Sequence, residues 1–245
     1  MKENKYDEQV FFEKYQNMDR SQKGLAAAGE WETLRKMLPS FRGQRVLDLG
    51  CGFGWHCQYA VEKGALSVTG IDISKNMLAI ARERNASEKI KYIQMPIEEI
   101  DFPENTFDIV ISSLCFHYIE SFEKLILQIN KLLSLGGQLV FSAEHPVFTA
   151  YGTQDWIYDK DGTILYFPVD NYFREGVRNA IFLKEDVKKY HRSMTSYLST
   201  LLQNGFTITN FAEPQPSEQM LTQIPEMENE LRRPMMFIVC ARKEA

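Results

Sequence analysis

The chain has 245 residues, of which 44% are hydrophobic and 25% are charged, and its formal net charge is -5. These values are ordinary for a soluble globular protein with room for one sizeable α/β domain. The acidic balance and the lack of clustered Lys and Arg disfavour sequence-independent binding of nucleic acid, because neutralising phosphates requires such clusters.

The four cysteines are scattered along the chain and form no C-x-x-C pair. This spacing disfavours a disulfide framework and a zinc site, so we expect reduced thiols, no bound metal and a cytoplasmic protein. The charged N-terminus lacks an apolar signal core, and no apolar stretch is long enough to cross a bilayer. We therefore expect no association with a membrane.

Hydrophobic periodicity predicts helices over the first forty residues, with Pro39 closing the second of them. Helices are also predicted at 55–63, after Ser74, after Ser121 and at 193–203. The predicted strands are, in chain order, 45–49, 67–71, 91–93, 107–111, 138–143, 206–211 and 235–241. Strands that alternate with helices predict a parallel sheet covered on both faces. The last two strands, separated by a loop, predict an antiparallel hairpin at the sheet edge.

The alternation breaks after the fifth strand. Residues 146–190 are rich in aromatics, Gly and Asp and show no clean period, which indicates an insertion or lid. We therefore interpret the chain as a single domain in four parts. These are an N-terminal helical cap (1–40), a core (41–145), a lid (146–192) and a C-terminal helix with edge strands (193–245).

A glycine-rich turn follows the first strand, in the sequence Val46-Leu47-Asp48-Leu49-Gly50-Cys51-Gly52-Phe53-Gly54. Glycines let the backbone turn sharply and approach a ligand closely, and the next helix begins with free amide donors. Asp72, at the end of the second strand, is placed to accept hydrogen bonds from ribose hydroxyls. In an open α/β sheet this end of the strands is where ligands bind.

Two other interpretations of the turn are weaker. A dinucleotide fingerprint requires G-x-G-x-x-G, but Trp55 stands where its third glycine would be, and Asp48 suits a cationic ammonium better than a pyrophosphate. A tight turn without a ligand would not need Asp48, three spaced glycines and Asp72 in one βαβ unit.

The chain resembles the class I, Rossmann-like S-adenosylmethionine-dependent methyltransferases over about residues 40 to 145. The matching stretches are Val46-Leu47-Asp48-Leu49-Gly50-Cys51-Gly52, Gly70-Ile71-Asp72-Ile73-Ser74, Phe102-Pro103-Glu104-Asn105-Thr106-Phe107-Asp108 and Leu135-Gly136-Gly137. The resemblance implies a doubly wound, mostly parallel seven-stranded sheet in the order 3-2-1-4-5-7-6, with strand seven antiparallel. It also implies S-adenosylmethionine as cofactor and S-adenosylhomocysteine as product.

By the same resemblance, the glycine turn holds the methionine part of the cofactor and Asp72 holds the ribose. The residues expected at the cofactor are Tyr15, Arg20, Asp48, Gly50, Cys51, Gly52, Gly54, Asp72, Ile73, Met77, Met95, Pro96, Ile97 and Ser112. Pro96 stands where many relatives carry an Asp that contacts the adenine amine, although Met95 and Ile97 can still sandwich the ring. Tyr15 and Arg20 either touch the cofactor carboxylate or serve only in packing and surface charge.

Methyl transfer is an in-line displacement at a sulfonium carbon, so the protein mainly orients and desolvates the nucleophile. A general base helps only when the nucleophile carries a proton of high pKa. The candidates at the carboxyl ends of the strands are His117, Glu144 and His145. His117 is either a general base or a hydrogen-bonded wall residue.

The insertion mixes aromatic residues with Arg, which suits a small, partly planar or anionic acceptor. We expect Tyr172, Arg178 and His191 to contact this acceptor, with simple packing inside the lid as the alternative. The predicted function is therefore methylation of a small molecule. Alternatives are a protein or nucleic-acid methyltransferase and a non-catalytic module that binds S-adenosylmethionine. Nucleic-acid amino-methyltransferases usually show an N/D-P-P-Y/F tetrad, where this chain has Ser112-Ser113-Leu114-Cys115.

Overall fold

The computed structural model describes residues 4–244, which form nine α-helices and eleven strands. The helices are α1 (Gln9–Gln16), α2 (Asp19–Lys23), α3 (Trp31–Met37), α4 (Trp55–Glu62), α5 (Lys75–Arg84), α6 (Phe122–Leu132), α7 (Pro146–Ala150), α8 (Met194–Gln203) and α9 (Glu218–Gln223). The strands are β1 (Arg45–Leu49), β2 (Ser67–Asp72), β3 (Ile90–Gln94), β4 (Phe107–Ser113), β5 (Leu133–Glu144), β6 (Ile157–Tyr158), β7 (Ile164–Tyr166), β8 (Gly176–Phe182), β9 (Glu185–His191), β10 (Phe206–Ala212) and β11 (Met236–Lys243). None of these helices is long and apolar enough to cross a membrane.

Seven strands form one sheet in the order β10-β11-β5-β4-β1-β2-β3. Strand β11 runs antiparallel to both of its neighbours, and the other pairings are parallel. With β10 and β11 as the sixth and seventh strands, this is the order 3-2-1-4-5-7-6 that the family resemblance implies. The carboxyl ends of β1, β2, β4 and β5 therefore meet at one edge of the sheet.

The core lies on both faces of this sheet, as a parallel sheet requires. Strand β1 shows the arrangement, because Leu47 packs with the α6 side and Val46 with the α3 and α4 side, both without exposed surface. Helix α6 buries an apolar stripe that comprises Phe122, Leu125, Ile126, Ile129 and Leu132.

Two regions differ from the prediction. The second cap helix is broken, because Gly24 adopts a φ of 69° and a 3-10 turn over Gly24–Ala27 separates α2 from α3. The last two strands do pair antiparallel, but α9 and a 3-10 segment (Pro225–Arg232) separate them where a loop was expected. Strand β11 lies inside the sheet, and β10 forms the edge.

The lid is more regular than its sequence suggests. It consists of α7, a short hairpin of β6 and β7, and a longer hairpin in which β8 and β9 pair over seven positions. The tip of the longer hairpin reaches the N-terminal cap, where Phe182 packs edge-on against Phe11, and Lys14 pairs with Glu185 at 2.7 Å. The lid thus covers the carboxyl ends of β4 and β5.

Candidate active site

A cavity of about 770 Å³ lies over the carboxyl ends of the central strands. The glycine turn, the end of β2 and the loop after β3 line one part, which we call the cofactor half. The loop after β4, the end of β5 and the lid line the other part, which we call the acceptor half. The N-terminal cap contributes Tyr6, Tyr15 and Arg20 between them.

The shape of the glycine turn depends on three positions whose backbone conformation favours glycine. Gly50, Gly52 and Gly54 all have positive φ, and a Cβ on Gly50 would lie 2.5 Å from Sγ of Cys115. The amides of Gly50 and Cys51 donate to the carbonyl oxygen of Ile71, which ties the turn to β2. Gly50 and Gly52 line the cavity.

Asp72 ends β2 beside this turn and is 9% exposed. Its two carboxylate oxygens accept hydrogen bonds from the amides of Gly52 and Ser74, each at 2.9 Å. Burial raises the pKa of Asp72 to about 6, although the hydrogen bonds from these two amides lower it. Each oxygen keeps a lone pair for a ligand hydroxyl.

The cap residues Tyr15 and Arg20 line the cavity. Tyr15 packs edge-on against Tyr6 and Phe53. Arg20 pairs with the buried carboxylate of Glu30 at 3.4 Å, and Glu30 also accepts a hydrogen bond from Ser113. Arg20 is therefore a cation held in place at the junction of the cap and the glycine turn.

The loop after β3 closes the cofactor half. Its residues Pro96, Ile97 and Glu98 line the cavity. Ile73, which follows β2, and Met77, on α5, line the same part. Met95, which we expected against the adenine, instead packs into the hydrophobic core, and its amide donates to the carbonyl of Asp72.

Four further residues expected at the cofactor lie behind the wall of this cavity. Asp48 is 1% exposed and accepts a hydrogen bond from the thiol of Cys57, and its burial raises its pKa to about 7. Ser112 donates to the carbonyl of Leu49, so it joins β4 to β1. Cys51 faces a smaller adjoining space, and Gly54 caps α4. These four residues support the turn from behind.

A buried polar cluster occupies the acceptor half. Nζ of Lys189, whose side chain is 2% exposed, lies 2.5 Å from Glu144 and 2.7 Å from Oε1 of Gln154. Gln154 in turn donates to Glu144 at 2.6 Å. Burial alone would raise the pKa of Glu144, but His117, Lys189 and the two hydrogen bonds outweigh it and lower that pKa. Glu144 is thus an ionised carboxylate whose two oxygens are both engaged.

His117 completes this cluster, and its ring nitrogens have different roles. Nδ1 accepts a hydrogen bond from the amide of Glu144 at 3.3 Å, whereas Nε2 faces the Glu144 carboxylate at 3.8 Å. Burial lowers the pKa of His117 to about 4, so the imidazole is neutral near pH 7. Since Nδ1 is an acceptor, the proton of the neutral ring is on Nε2.

His145 does not line the cavity, in contrast to His117 and Glu144. Its Nδ1 accepts from the amide of Val147 and caps α7, while Nε2 lies 2.8 Å from Glu213. The proline that follows fixes this orientation, because it starts α7 directly after His145. His145 therefore joins the lid to the end of β10.

The three residues expected at the acceptor, Tyr172, Arg178 and His191, also lie outside the wall of the cavity. Arg178 donates to backbone carbonyls within the lid, including those of Ala150 and Asn171. His191 bridges the hydroxyl of Thr149 and the carbonyl of Tyr172. These side chains hold the lid together, because its irregular backbone leaves carbonyls that need donors.

Sequence reasoning missed the polar side chains of Tyr6, Tyr118, Gln154 and Lys189, as well as the apolar residues of the acceptor half. Tyr118 follows His117 directly, which was a usable signal. Gln154 and Lys189 carried none, because they reach Glu144 from 10 and 45 residues away along the chain. Within residues 4–244 no group of His, Cys, Asp and Glu could hold a metal ion.

Comparisons with known proteins agree with this geometry. A family described as a methyltransferase domain matches residues 47–141. The chain is similar to a solved structure from Listeria monocytogenes that is assigned to the S-adenosylmethionine-dependent methyltransferases. The two are 50% identical with a TM-score of 0.86, and the match covers 91% of this chain and 100% of that one.

Two further relatives match over nearly the whole length. An S-adenosylmethionine-dependent methyltransferase structure from Mesorhizobium loti is 40% identical with a TM-score of 0.83, covering 90% of this chain and 100% of that one. An uncharacterized protein of Haemophilus influenzae is 34% identical over 97% of this chain and 96% of its own length. The similarity therefore includes the cap and the lid as well as the core.

Proposed function

The chain belongs to the class I S-adenosylmethionine-dependent methyltransferases, and we propose that it methylates a small molecule bound in the acceptor half of the cavity. The observation that carries the proposal is that this half is continuous with the cofactor half and is roofed by the lid and the cap. The whole cavity, at about 770 Å³, falls in the range of about 300–1,000 Å³ typical of small-molecule sites.

S-adenosylmethionine is the cofactor, and the residues of the cofactor half fit it. Asp72 would accept from the ribose hydroxyls, and Arg20 would face the carboxylate of the methionine part. The indole N–H of Trp55 supports this orientation, because it is buried beside the glycine turn and has no hydrogen-bond partner within residues 4–244. A buried N–H of this kind requires an acceptor, which a carboxylate supplies.

The bound cofactor supplies the methyl group and its own leaving group, so the chain's residues act by holding and enclosing the acceptor. Neither candidate base of the acceptor half is available. The pKa of Glu144 is lowered, which makes it a weak base, and the basic nitrogen of His117 already accepts from a backbone amide. We infer that the acceptor atom brings an available lone pair, as a carboxylate does at neutral pH.

The test is a search for the acceptor by the release of S-adenosylhomocysteine. The purified protein would be incubated with S-adenosylmethionine and with a cell extract divided into small-molecule, protein and nucleic-acid fractions. Asp72→Asn is the matched control, since it should lose the cofactor with the least change in shape. Turnover in the small-molecule fraction supports the proposal.

The other outcomes are distinct. Turnover in only the protein or nucleic-acid fraction would overturn the class of acceptor while leaving the cofactor assignment intact. Tight binding of S-adenosylmethionine without turnover in any fraction would identify a non-catalytic binding module.

A further inference from the structure

The acceptor half holds more hydrogen-bond donors than the described residues satisfy. We propose that it recognises an oxygen atom that accepts hydrogen bonds, a carboxylate or carbonyl oxygen, on a small and otherwise apolar molecule. This inference rests on the proposed function and names its class of acceptor.

The first unsatisfied donor is Lys189. Its ammonium group has three N–H bonds, and only Glu144 and Gln154 accept from it among the described residues. The group lies over the rings of Tyr118 and Phe182, at 6.0 Å and 5.6 Å from their centroids, and Lys189 lines the cavity. A buried ammonium with one N–H left over requires a further acceptor.

The second unsatisfied donor is a phenol. The hydroxyl oxygens of Tyr6 and Tyr118 lie 3.5 Å apart, and neither has another hydrogen-bond partner within residues 4–244. Since one hydroxyl donates to the other, one O–H remains. Burial raises the pKa of both phenols, so both keep their protons.

A third donor stands next to these two. The rings of His117 and Tyr118 lie 4.3 Å apart, and Nε2 of His117 faces the Glu144 carboxylate at 3.8 Å. That distance is too long for a good hydrogen bond. Lys189, Tyr118 and His117 thus bring three unfilled donors to one region of the wall.

Glu144 and Gln154, the acceptors beside these donors, already accept hydrogen bonds. The oxygens of Glu144 take Lys189 and Gln154, and the amide oxygen of Gln154 takes Lys189. A cationic ligand would therefore compete with Lys189 for the Glu144 carboxylate. A ligand oxygen would instead accept from the donors that have no partner. The rest of this half is largely apolar, with Phe148, Phe182, Val187, Met235 and Met236 in its wall.

The backbone at Gln154 indicates that the cluster is held in place at a cost. Gln154 has a φ of 61°, which is unfavourable for a residue with a Cβ and typical of functional sites. This backbone conformation places the side chain of Gln154 where it hydrogen-bonds to both Glu144 and Lys189.

Three probes of equal size and different polarity test the proposal. Benzoate, benzamide and benzylammonium would be titrated at millimolar concentration into the complex with S-adenosylhomocysteine and followed by ligand-observed NMR. We expect benzoate or benzamide to bind and benzylammonium not to bind. Tighter binding of benzoate indicates an anionic acceptor, and tighter binding of benzamide indicates a neutral carbonyl.

The matched variants address Lys189 without leaving a buried charge. Lys189→Met alone would strand Glu144, so the main variant is Lys189→Met combined with Glu144→Gln, which keeps the cluster neutral. We expect it to weaken binding of the oxygen-bearing probe about ten-fold or more, as loss of a charge-assisted hydrogen bond predicts. Tyr118→Phe should weaken the same probe by a smaller factor.

Three results would overturn the proposal. They are preferential binding of benzylammonium, no binding of either oxygen-bearing probe, and unchanged binding of that probe by the double variant. The affinity for S-adenosylhomocysteine is measured on the same samples. Its loss would signal a failure of the cofactor site, which is a failure of the proposed function and not of this inference.

Discussion

The backbone amide of Glu144 donates to Nδ1 of His117 at 3.3 Å, so the last residue of β5 fixes the tautomer of the imidazole in the loop after β4. Leu114 sets the position of the His117 loop relative to β5. It has a φ of 52°, and its amide donates to the carbonyl oxygen of Ser142 in β5. The turn at Leu114 carries the chain under the end of β5, where His117 meets Glu144. The backbone amide of Glu144 thus occupies the Nδ1 lone pair that His117 would need to act as a base.

We therefore predict that His117 stays neutral, with its proton on Nε2, from about pH 5 to pH 8. Burial lowers its pKa to about 4, and a titration in this range would require the ring to lose its bond to the amide of Glu144. Long-range ¹H–¹⁵N correlation spectra of the imidazoles measure both properties. His117→Gln identifies the resonance, and a titration near pH 6.5 would contradict the prediction.

Asp72 predicts a pH dependence of cofactor binding. Its pKa lies near 6 in the folded protein, and only the ionised carboxylate accepts from two ribose hydroxyls. The affinity for S-adenosylhomocysteine should therefore fall below pH 6, approaching roughly ten-fold per pH unit. Isothermal titration at several pH values measures it. Asp72→Asn should bind weakly at every pH, and a wild-type affinity that is constant from pH 7 to pH 5 would exclude this role.

The same carboxylate acts on folding in the opposite direction. Because burial raises the pKa of Asp72 above its ordinary value of 3.8, the folded protein retains a proton that the unfolded chain has lost between about pH 4 and pH 6. Its contribution to stability without cofactor therefore decreases as the pH rises through this window. Thermal unfolding without cofactor should show this trend in the wild type and a weaker one in Asp72→Asn.

The sheet and the glycine turn could be predicted from the sequence because their signals are local. Strand β1 begins and ends at the predicted residues, and Ser74 caps α5 as expected by accepting from the amide of Met77. Buried parallel strands are apolar runs, and the turn after β1 needs glycines at fixed spacing. Each of these features can be recognised within about ten residues of chain.

The lid could not be predicted because polarity and burial are reversed at several of its positions. In the β8–β9 hairpin, Val177 and Ile181 are 51% and 57% exposed, whereas Lys189 and His191 are 2% and 1% exposed. A pattern analysis that assigns apolar residues to the inside misreads both strands. The buried polar side chains are explained only by partners from distant parts of the chain, such as Glu144 and Thr149.

Arg233 provides a prediction about lid stability. Its guanidinium lies 4.5–5.0 Å from the ring centroids of Phe148, Trp156 and Phe167, and it also pairs with Glu230. Arg233→Lys should destabilise the protein by about 1–2 kcal/mol, because an ammonium cannot stack on three rings as a planar guanidinium does. Thermal unfolding measures the change.

The neighbouring Arg232 is the control for this effect. It is exposed and approaches only the ring of Trp156 among these three, so Arg232→Lys should change the unfolding temperature little. Equal effects of the two substitutions would mean that burial of Arg233 among the aromatic rings adds nothing. Faster hydrogen exchange over residues 148–167 in Arg233→Lys would locate the loss in the lid.

The last prediction concerns the contact between the lid and the cap. The ring of Phe182, at the tip of the β8–β9 hairpin, packs edge-on against the buried Phe11 at 5.9 Å and also lines the cavity. Helix α1 carries Phe11 and Tyr15, so this contact couples the lid to a wall residue of the cofactor site. Phe182→Ala should therefore speed dissociation of S-adenosylhomocysteine about ten-fold, equivalent to roughly 1.4 kcal/mol of lost contact, and increase hydrogen exchange over 176–191. Stopped-flow displacement measures the rate. Glu185→Gln removes the neighbouring ion pair with Lys14, in which both side chains are about one-third exposed, and should change the rate little because such pairs are screened by water. A dissociation rate that responds to Glu185→Gln but not to Phe182→Ala would show that charge, and not the aromatic contact, holds the lid on the cap.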